Sequence, residues 1–320
     1  MSKKSRRNFQ PQPRPNGNAP VASQTMTVSR PLGEESKVRK VKLFIGVPQF
    51  GGLSYMEHNH GIQLLRLSLY ASGIEHKWYP LANESLITRA RNRITMEFLK
   101  SDCTDLLFID ADVGFLPKDV SMLMNSPFEI VCGAYPAKRI PWGAIHAAAI
   151  GGVPADKLEA ATALYTTGLS VEANSTLKID VMDHNGHRYV EAQDAATGFL
   201  LIRRHVIEKM VAHYRDQIKY VADYDPYKGE THFALFPDGQ DPQALKEGTP
   251  ARWLSEDYYF SRLAQMVGFK VHLCIDCNLS HTGTYTWRGS VAELFKVDGA
   301  PGGNVKPDEA EKSEAAAPLQ

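Results

Sequence analysis

The chain has 320 residues, 43% hydrophobic and 22% charged, with a formal net charge of +0. This is ordinary globular composition, long enough for one large domain or two small ones. No apolar run approaches the roughly 20 residues of a membrane-spanning helix, and the basic stretch 1–7 has no apolar core behind it, which excludes a secretory signal. Four cysteines, Cys103, Cys132, Cys274 and Cys277, are too few for a disulfide scaffold and suit a reducing compartment. A cytoplasmic location is expected.

The neutral total hides an asymmetry. Residues 1–42 hold ten Lys and Arg against Glu34 and Glu35, a net +8, so the remainder carries −8. The same stretch is rich in Pro and poor in apolar residues, the composition of a disordered arm. Such an arm could hold a nucleic acid, or simply be a solvated tail. Residues 299–320 read as a second disordered tail.

Between the tails, strands and helices alternate. A first strand is expected over 41–47, ended by the turn signal Pro48-Gln49-Phe50-Gly51-Gly52. Residues 61–71 carry Ile62, Leu65 and Leu69 at helical spacing, with Gly73 as the stop. An extended piece at 74–81 precedes a helix over 85–100, with Ile87, Ala90, Ile94 and Phe98 down one face. Leu106-Leu107-Phe108-Ile109 then reads as a strand buried on both faces. Pro117 opens a short helix to 124, and 128–133 returns as another buried strand. This order implies right-handed crossovers and a mostly parallel, twisted α/β sheet.

The pattern weakens from 134 to 194, which offers an extended piece at 177–182 and a turn at 183–187. A buried strand at 196–202 leads into a helix at 204–214, and 223–248 reads as a long polar loop. Residues 255–267 form a helix with Ser255 at its N-cap and Tyr259, Leu263 and Met266 inward; Gly268 stops it before a last strand at 270–275. Cys274-x-x-Cys277 has no second pair at zinc spacing and reads as buried thiols. The expected layout is a disordered tail (1–40), one main domain (41–290) with a nucleotide-binding half (41–133) and an acceptor and catalytic half (134–290), and a second tail (291–320).

The chemistry gathers at the end of the 106–109 strand. Asp110 and Asp112, at i and i+2 of an extended segment, project together from its carboxyl end, where open α/β sheets place ligands. Two close carboxylates need a counter-charge, and a hard divalent cation is the natural one. Taken alone, an acidic triplet is as often a solvated loop. On the helix before that strand, Arg89 and Arg93 share one face at i, i+4, while Arg91 and Asn92 fall on others. Arg is well suited to phosphate oxygens, although a basic stripe can also be mere surface. Ser255-Glu256-Asp257 opens the aromatic helix; its acids satisfy the helix dipole, or one of them serves as a general base. His281, in a Gly-bearing loop past the last strand, is placed to reach a metal or a phosphate.

The Ala90-Arg91-Asn92 helix, the Leu-Leu-Phe-Ile-Asp110-Ala-Asp112 strand end, Gly198-Phe199-Leu200-Leu201-Ile202-Arg203, Ser255-Glu256-Asp257 with Phe260, and His281-Thr282-Gly283 together resemble GT-A-fold glycosyltransferases with a DxD motif. They look most like the stand-alone forms of phages and other viruses, over residues 42–287. That resemblance implies a GT-A-like, mostly parallel sheet flanked by helices. It implies a nucleotide-sugar donor, a UDP-sugar first among them, held with Mn²⁺ or Mg²⁺. Asp110 and Asp112 would face the metal and the diphosphate, and His281 would be a third metal ligand. Arg89, Arg91 and Asn92 would lie on the donor side, and Pro48 and Gln49 near the nucleotide base. Glu256 or Asp257 would be the base, Asp257 matching the usual place better, and Gly198 and Phe199 would line the acceptor side. One departure is that no acidic residue ends the second strand to grip a uracil ring, unless Glu84 does so.

Transfer through an oxocarbenium-like state, with a base across the sugar from the departing diphosphate, gives inversion. The acceptor hydroxyl could belong to a modified base of phage DNA, a glycan, a protein or a lipid-linked sugar. A sugar-1-phosphate nucleotidyltransferase is the rival enzyme, but Leu53-Ser54-Tyr55-Met56-Glu57 after Gly51-Gly52 lacks the cations such a loop needs. A non-enzymatic, nucleic-acid-binding phage protein is the rival outside catalysis.

Overall fold

The computed structural model describes residues 27–31 (backbone only), 39–166 and 180–284. In chain order, strands β1 (Thr27–Pro31) and β2 (Lys42–Gln49) are followed by α1 (Met56–Ala71), β3 (Glu75–Ala82), α2 (Ile87–Lys100), β4 (Asp105–Ile109) and the short β5 (Val113–Gly114). Next come α3 (Pro117–Met124), β6 (Ile130–Gly133), α4 (Trp142–Ile150), α5 (Leu158–Thr162), β7 (Asp180–His184), β8 (His187–Ala192), β9 (Phe199–Arg203) and α6 (Arg204–Ile218). The remainder is β10 (Lys219–Val221), β11 (Thr231–Phe233), β12 (Gly239–Gln240), α7 (Pro242–Glu247), β13 (Trp253–Leu254), α8 (Glu256–Met266), β14 (Val271–Cys274) and β15 (Ser280–His281).

A nine-stranded sheet in the order β1-β7-β8-β14-β6-β9-β4-β2-β3 organises these elements. Seven strands run one way; β8 and β9 are reversed. The sheet is therefore mostly parallel, as expected, but β9 inserts antiparallel between β4 and β6. Described strands from both expected halves, 41–133 and 134–290, thus share one sheet.

Period-2 alternation assigns the two faces. Phe44, Leu106 and Phe108 meet Ile94 and Phe98 of α2, Met210 of α6 and Phe260 of α8. Leu43, Ile45, Leu107 and Ile109 meet Ile62, Leu65 and Leu69 of α1 and Leu123 of α3. Each fully buried Leu, Ile or Phe contributes roughly 1.5–3 kcal/mol, which makes β4 the anchor of both layers. Arg204 ties the C-terminus of α2 down by donating to the carbonyls of Phe98, Ser101 and Cys103 at 2.8, 2.9 and 2.6 Å.

Several expectations need correction. The first helix begins at Met56, not at 61; Gly61 is interior, where an added Cβ would come within 2.8 Å of the Phe115 carbonyl oxygen. The sixth helix runs on to Ile218. Residues 223–248 are not all loop: Asp241 caps α7 by accepting from the amides of Gln243 and Ala244, Pro242 opens it, and Gly248 at φ 71° closes it. The turn at 183–187 is a two-residue hairpin, with Asn185 and Gly186 at φ 53° and 75°. In α8, Phe260, Leu263 and Ala264 are buried, while Tyr259 and Met266 are only half-buried.

Thr27–Pro31 is strand β1, paired with β7, within the stretch whose composition suggests a disordered tail. Apart from these and residues 39 and 40, both tail assignments, and residues 177–179 of the expected extended piece, lie outside the described residues. No described helix is long and apolar enough to cross a membrane.

Candidate active site

The carboxyl end of β4 turns at once. The amide of Val113 donates to the Asp110 carbonyl at 3.0 Å, and β5 then pairs antiparallel with β15. That pairing sets His281 opposite Val113 and lets the Thr282 amide donate to the Asp112 carbonyl at 2.9 Å. A histidine 169 positions downstream of Asp112 is thereby delivered to it.

The ring of His281 is oriented from behind. Its Nδ1 lies 2.8 Å from the Pro136 carbonyl oxygen, which can only accept, so Nδ1 carries a hydrogen. Nε2 is left facing Asp112 Oδ2 at 3.5 Å. Metal-binding histidines likewise have one ring nitrogen fixed by a carbonyl or carboxylate, which leaves the other nitrogen for the metal. Lys138 also reaches Asp112 Oδ2, at 2.6 Å. Burial pushes the Asp112 carboxyl up, but His281 and Lys138 outweigh it and hold it at about 2.

Asp110 is held differently. Arg91, 3% exposed, donates through Nη1 and Nη2 to its two oxygens at 3.0 and 3.1 Å, and through Nε to Glu256 at 3.2 Å. One guanidinium thus joins α2, the end of β4 and the start of α8. Burial lowers the Arg91 pKa, but Asp110 and Glu256 overcome this and raise it, so its charge is permanent. The Asp110 amide donates to the Gly198 carbonyl at 2.9 Å, and the Gly198 amide donates to the buried Tyr135 hydroxyl at 3.2 Å. A Cβ on Gly198 would sit 2.8 Å from Asp110 Oδ2 and would also collide with the Tyr135 hydroxyl, so a glycine is needed there.

On α8, Ser255 makes no side-chain cap; its hydroxyl donates instead to Asp257 Oδ1, which also accepts from the Tyr258 amide at 2.9 Å. Burial, then the neighbouring Glu256, raise the Asp257 carboxyl above its ordinary range. Both of its hydrogen bonds fall on one oxygen, which leaves Oδ2 open to take a proton from a substrate.

Four carboxylates (Asp110, Asp112, Glu256 and Asp257) therefore share this rim with two fixed cations, Arg91 and Lys138. The acids outnumber these two cations, which suits a divalent ion. Asp112 and His281 supply an oxygen and a nitrogen donor at one point, a set that Mn²⁺ or Mg²⁺ accepts alongside donor-molecule oxygens. Asp110 is a poorer ligand because Arg91 occupies both of its oxygens. Among the described residues no three His, Cys, Asp or Glu side chains are grouped to hold a metal, so the expected trio of Asp110, Asp112 and His281 is not assembled.

No protein-family model matches the chain, and no curated protein matches it either. Among solved structures it is similar to A197 from STIV, at 16% identity and a TM-score of 0.40, covering 76% of this chain and 86% of that one. GalNAc-T7 with UDP, GalNAc and Mn2+ gives 10% identity and a TM-score of 0.39, covering 81% of this chain and 47% of that one. A glycosyltransferase involved in the glycosylation of the major capsid of PBCV-1 gives 11% and 0.29, with 77% and 94% covered.

The other expected site residues are divided. Pro48 and Gln49 end β2 on the same sheet edge as Asp110, in register with Leu81 and Ala82. Arg89 and Arg93 are turned elsewhere: both pair with Glu84, at 2.7 and 3.1 Å, and lie over the ring of Tyr224. Glu84, spent on those two arginines, is not offered to a base. Asn92 is buried and uses Oδ1 to accept from the Phe236 amide at 3.0 Å, which makes it a clamp on the 233–236 chain. Phe199 is 0% exposed against Phe115, so Gly198 alone of that pair borders the site. Tyr135 and Lys138 escaped the sequence reading; their signal was position, just past β6 at the same rim.

Proposed function

We propose that this chain is a metal-assisted glycosyltransferase that moves a sugar from a nucleotide-sugar donor to an acceptor hydroxyl. The observation carrying this reading is the rim itself: Asp112 and His281 meet at one point beside an Arg91-locked Asp110, where carboxylates outnumber the lysine and arginine that face them. Asp112 and His281 would hold Mn²⁺ or Mg²⁺, which supplies neutralisation of the charge growing on the departing diphosphate.

The chain's own residues do the rest. Arg91 keeps the Asp110 carboxylate fixed at the donor side of the rim. Lys138, paired with Asp112, offers its ammonium to phosphate oxygens in the same region. Asp257, made more basic by burial and by Glu256, accepts the acceptor's hydroxyl proton through Oδ2 as the new bond forms. Glu256, tied to Arg91, positions the helix and is the weaker candidate for base. A base across the sugar from the diphosphate gives inversion at the anomeric carbon. With Glu84 engaged elsewhere, the nucleotide base is left to Pro48 and Gln49, and a UDP-sugar remains the first donor to try. A glycan or a modified DNA base is the acceptor class carried forward.

Calorimetric titration with a panel of nucleotide sugars, with and without Mn²⁺, tests this. One donor should bind with metal assistance and be slowly hydrolysed, and Asp112→Asn should reduce its uptake by on the order of a hundredfold. No metal-assisted binding of any donor rejects the reading.

A further inference from the structure

The two acids at the end of β4 are closed by cations of different kinds. Asp110 is gripped through both oxygens by Arg91, a guanidinium that is 3% exposed and also tied to Glu256. Asp112 meets Lys138, whose ammonium donates to Oδ2 at 2.6 Å. That pair lies open, with 39% of the Lys138 side chain and 29% of the Asp112 side chain exposed. A planar fork bound on two sides stays in place. A single-point ammonium on a flexible stem, with water at hand to replace its partner, can leave.

The segment that carries Lys138 is anchored. The Ala137 amide donates to the Leu164 carbonyl at 2.6 Å, and Pro136 is bridged to Tyr165. The carbonyl of the same Pro136 fixes Nδ1 of His281 at 2.8 Å. Residues 136–138 thus orient the imidazole and bring the ammonium to one spot, because Nε2 of His281 faces the oxygen that Lys138 takes, at 3.5 Å. A neutral ring with its hydrogen on Nδ1 presents Nε2 as an acceptor, so an oxygen and a nitrogen acceptor are turned toward each other here. Such a pair attracts a cation, and the chain's own cation at this point is Lys138.

We propose that Lys138 is a stand-in counter-ion: its ammonium holds the place on Asp112 that a divalent ion takes, and it must leave Asp112 for that ion to bind. Uptake of the ion is then an exchange of one cation for another, not the filling of a bare acid. The ring of Tyr55 lies 5.9 Å from the ammonium, so a displaced Lys138 keeps an aromatic face within reach. The inference rests on the transferase reading in taking Asp112 and His281 as metal donors, and adds that the chain regulates access to them.

Calorimetric titration of the full chain with Mn²⁺ alone tests this without donor or turnover. Lys138→Gln should bind Mn²⁺ roughly three- to fivefold more tightly than the parent, since the competing ion pair is gone. Lys138→Arg, which keeps a cation on Asp112, should bind no more tightly than the parent. Arg139→Gln removes the neighbouring exposed charge and should change the affinity less than about twofold, because that charge is screened by solvent. With Asp112→Asn already in place, Lys138→Gln should bring no gain. An affinity unchanged or weakened in a folded Lys138→Gln, while the parent binds Mn²⁺, overturns the inference and leaves the transferase reading standing. An equal gain in Arg139→Gln also overturns it, since long-range repulsion would then be the cause. Failure of the parent and of Lys138→Gln alike to take up Mn²⁺ removes both.

Discussion

The Arg91 guanidinium lies 3.0 and 3.1 Å from the two oxygens of Asp110, a two-pronged pair between α2 and the end of β4 in which Arg91 is buried and Asp110 half-buried. Removing one partner of such a pair leaves an uncompensated charge, which typically costs about 3–5 kcal/mol. Arg91→Met should therefore lose about that much in urea unfolding. Arg91→Lys should recover only part of it, because an ammonium lacks the planar fork. A Met variant as stable as the parent would show that the pair is not the link between α2 and the rim.

Gly198 gives a second prediction. Gly198→Ala pushes a methyl at the Tyr135 hydroxyl and at Asp110 Oδ2, and should cost about 1–3 kcal/mol with a matching loss of donor turnover. In a Tyr135→Phe background the hydroxyl is gone, so the same change should cost clearly less. A double-mutant cycle with no coupling would place the strain elsewhere.

Asp257 must be ionised to act as a base, and burial and Glu256 raise its pKa. Turnover should therefore climb with pH along an acid limb above the ordinary carboxylate value near 4, and Asp257→Asn should remove both the limb and most of the activity. A pH-rate profile that is flat through that limb in the parent would exclude this role.

His272 offers a stability test away from the rim. It is 7% exposed, stacked on Phe128 with ring centroids 3.7 Å apart, and burial lowers its pKa from 6.5 to about 4. The unfolded chain takes up a proton at that position first, so stability should fall as pH drops from 6.5 and level off below about 4. The full effect is about 3 kcal/mol by linkage. His272→Phe should flatten that window in denaturation curves at stepped pH, and an unchanged slope would mean that the imidazole is protonated in the fold.

These tests separate two kinds of information. The chain's local patterning determined the elements that rest on periodicity and on turn chemistry: the 106–109 strand buried on both faces, the α2 stripe of Ala90, Ile94 and Phe98, and the turn at 183–187. It also offered Asp110 with Asp112, and Glu256 with Asp257, as separate candidates, since two acids at a strand end and two acids opening a helix are short-range signals; joining them with His281 rested on the family resemblance. Only the tertiary structure decided who pairs with whom. Of three arginines on one helix, the pattern favoured the shared face of Arg89 and Arg93. Packing of α2 instead turned Arg91 into the rim and gave the other two to Glu84. The antiparallel insertion of β9, the delivery of His281 by β15, and the place of Tyr135 and Lys138 depend on contacts between residues far apart in sequence. Charge pairing and strand order are properties of the assembled sheet, and no window of a few residues contains them.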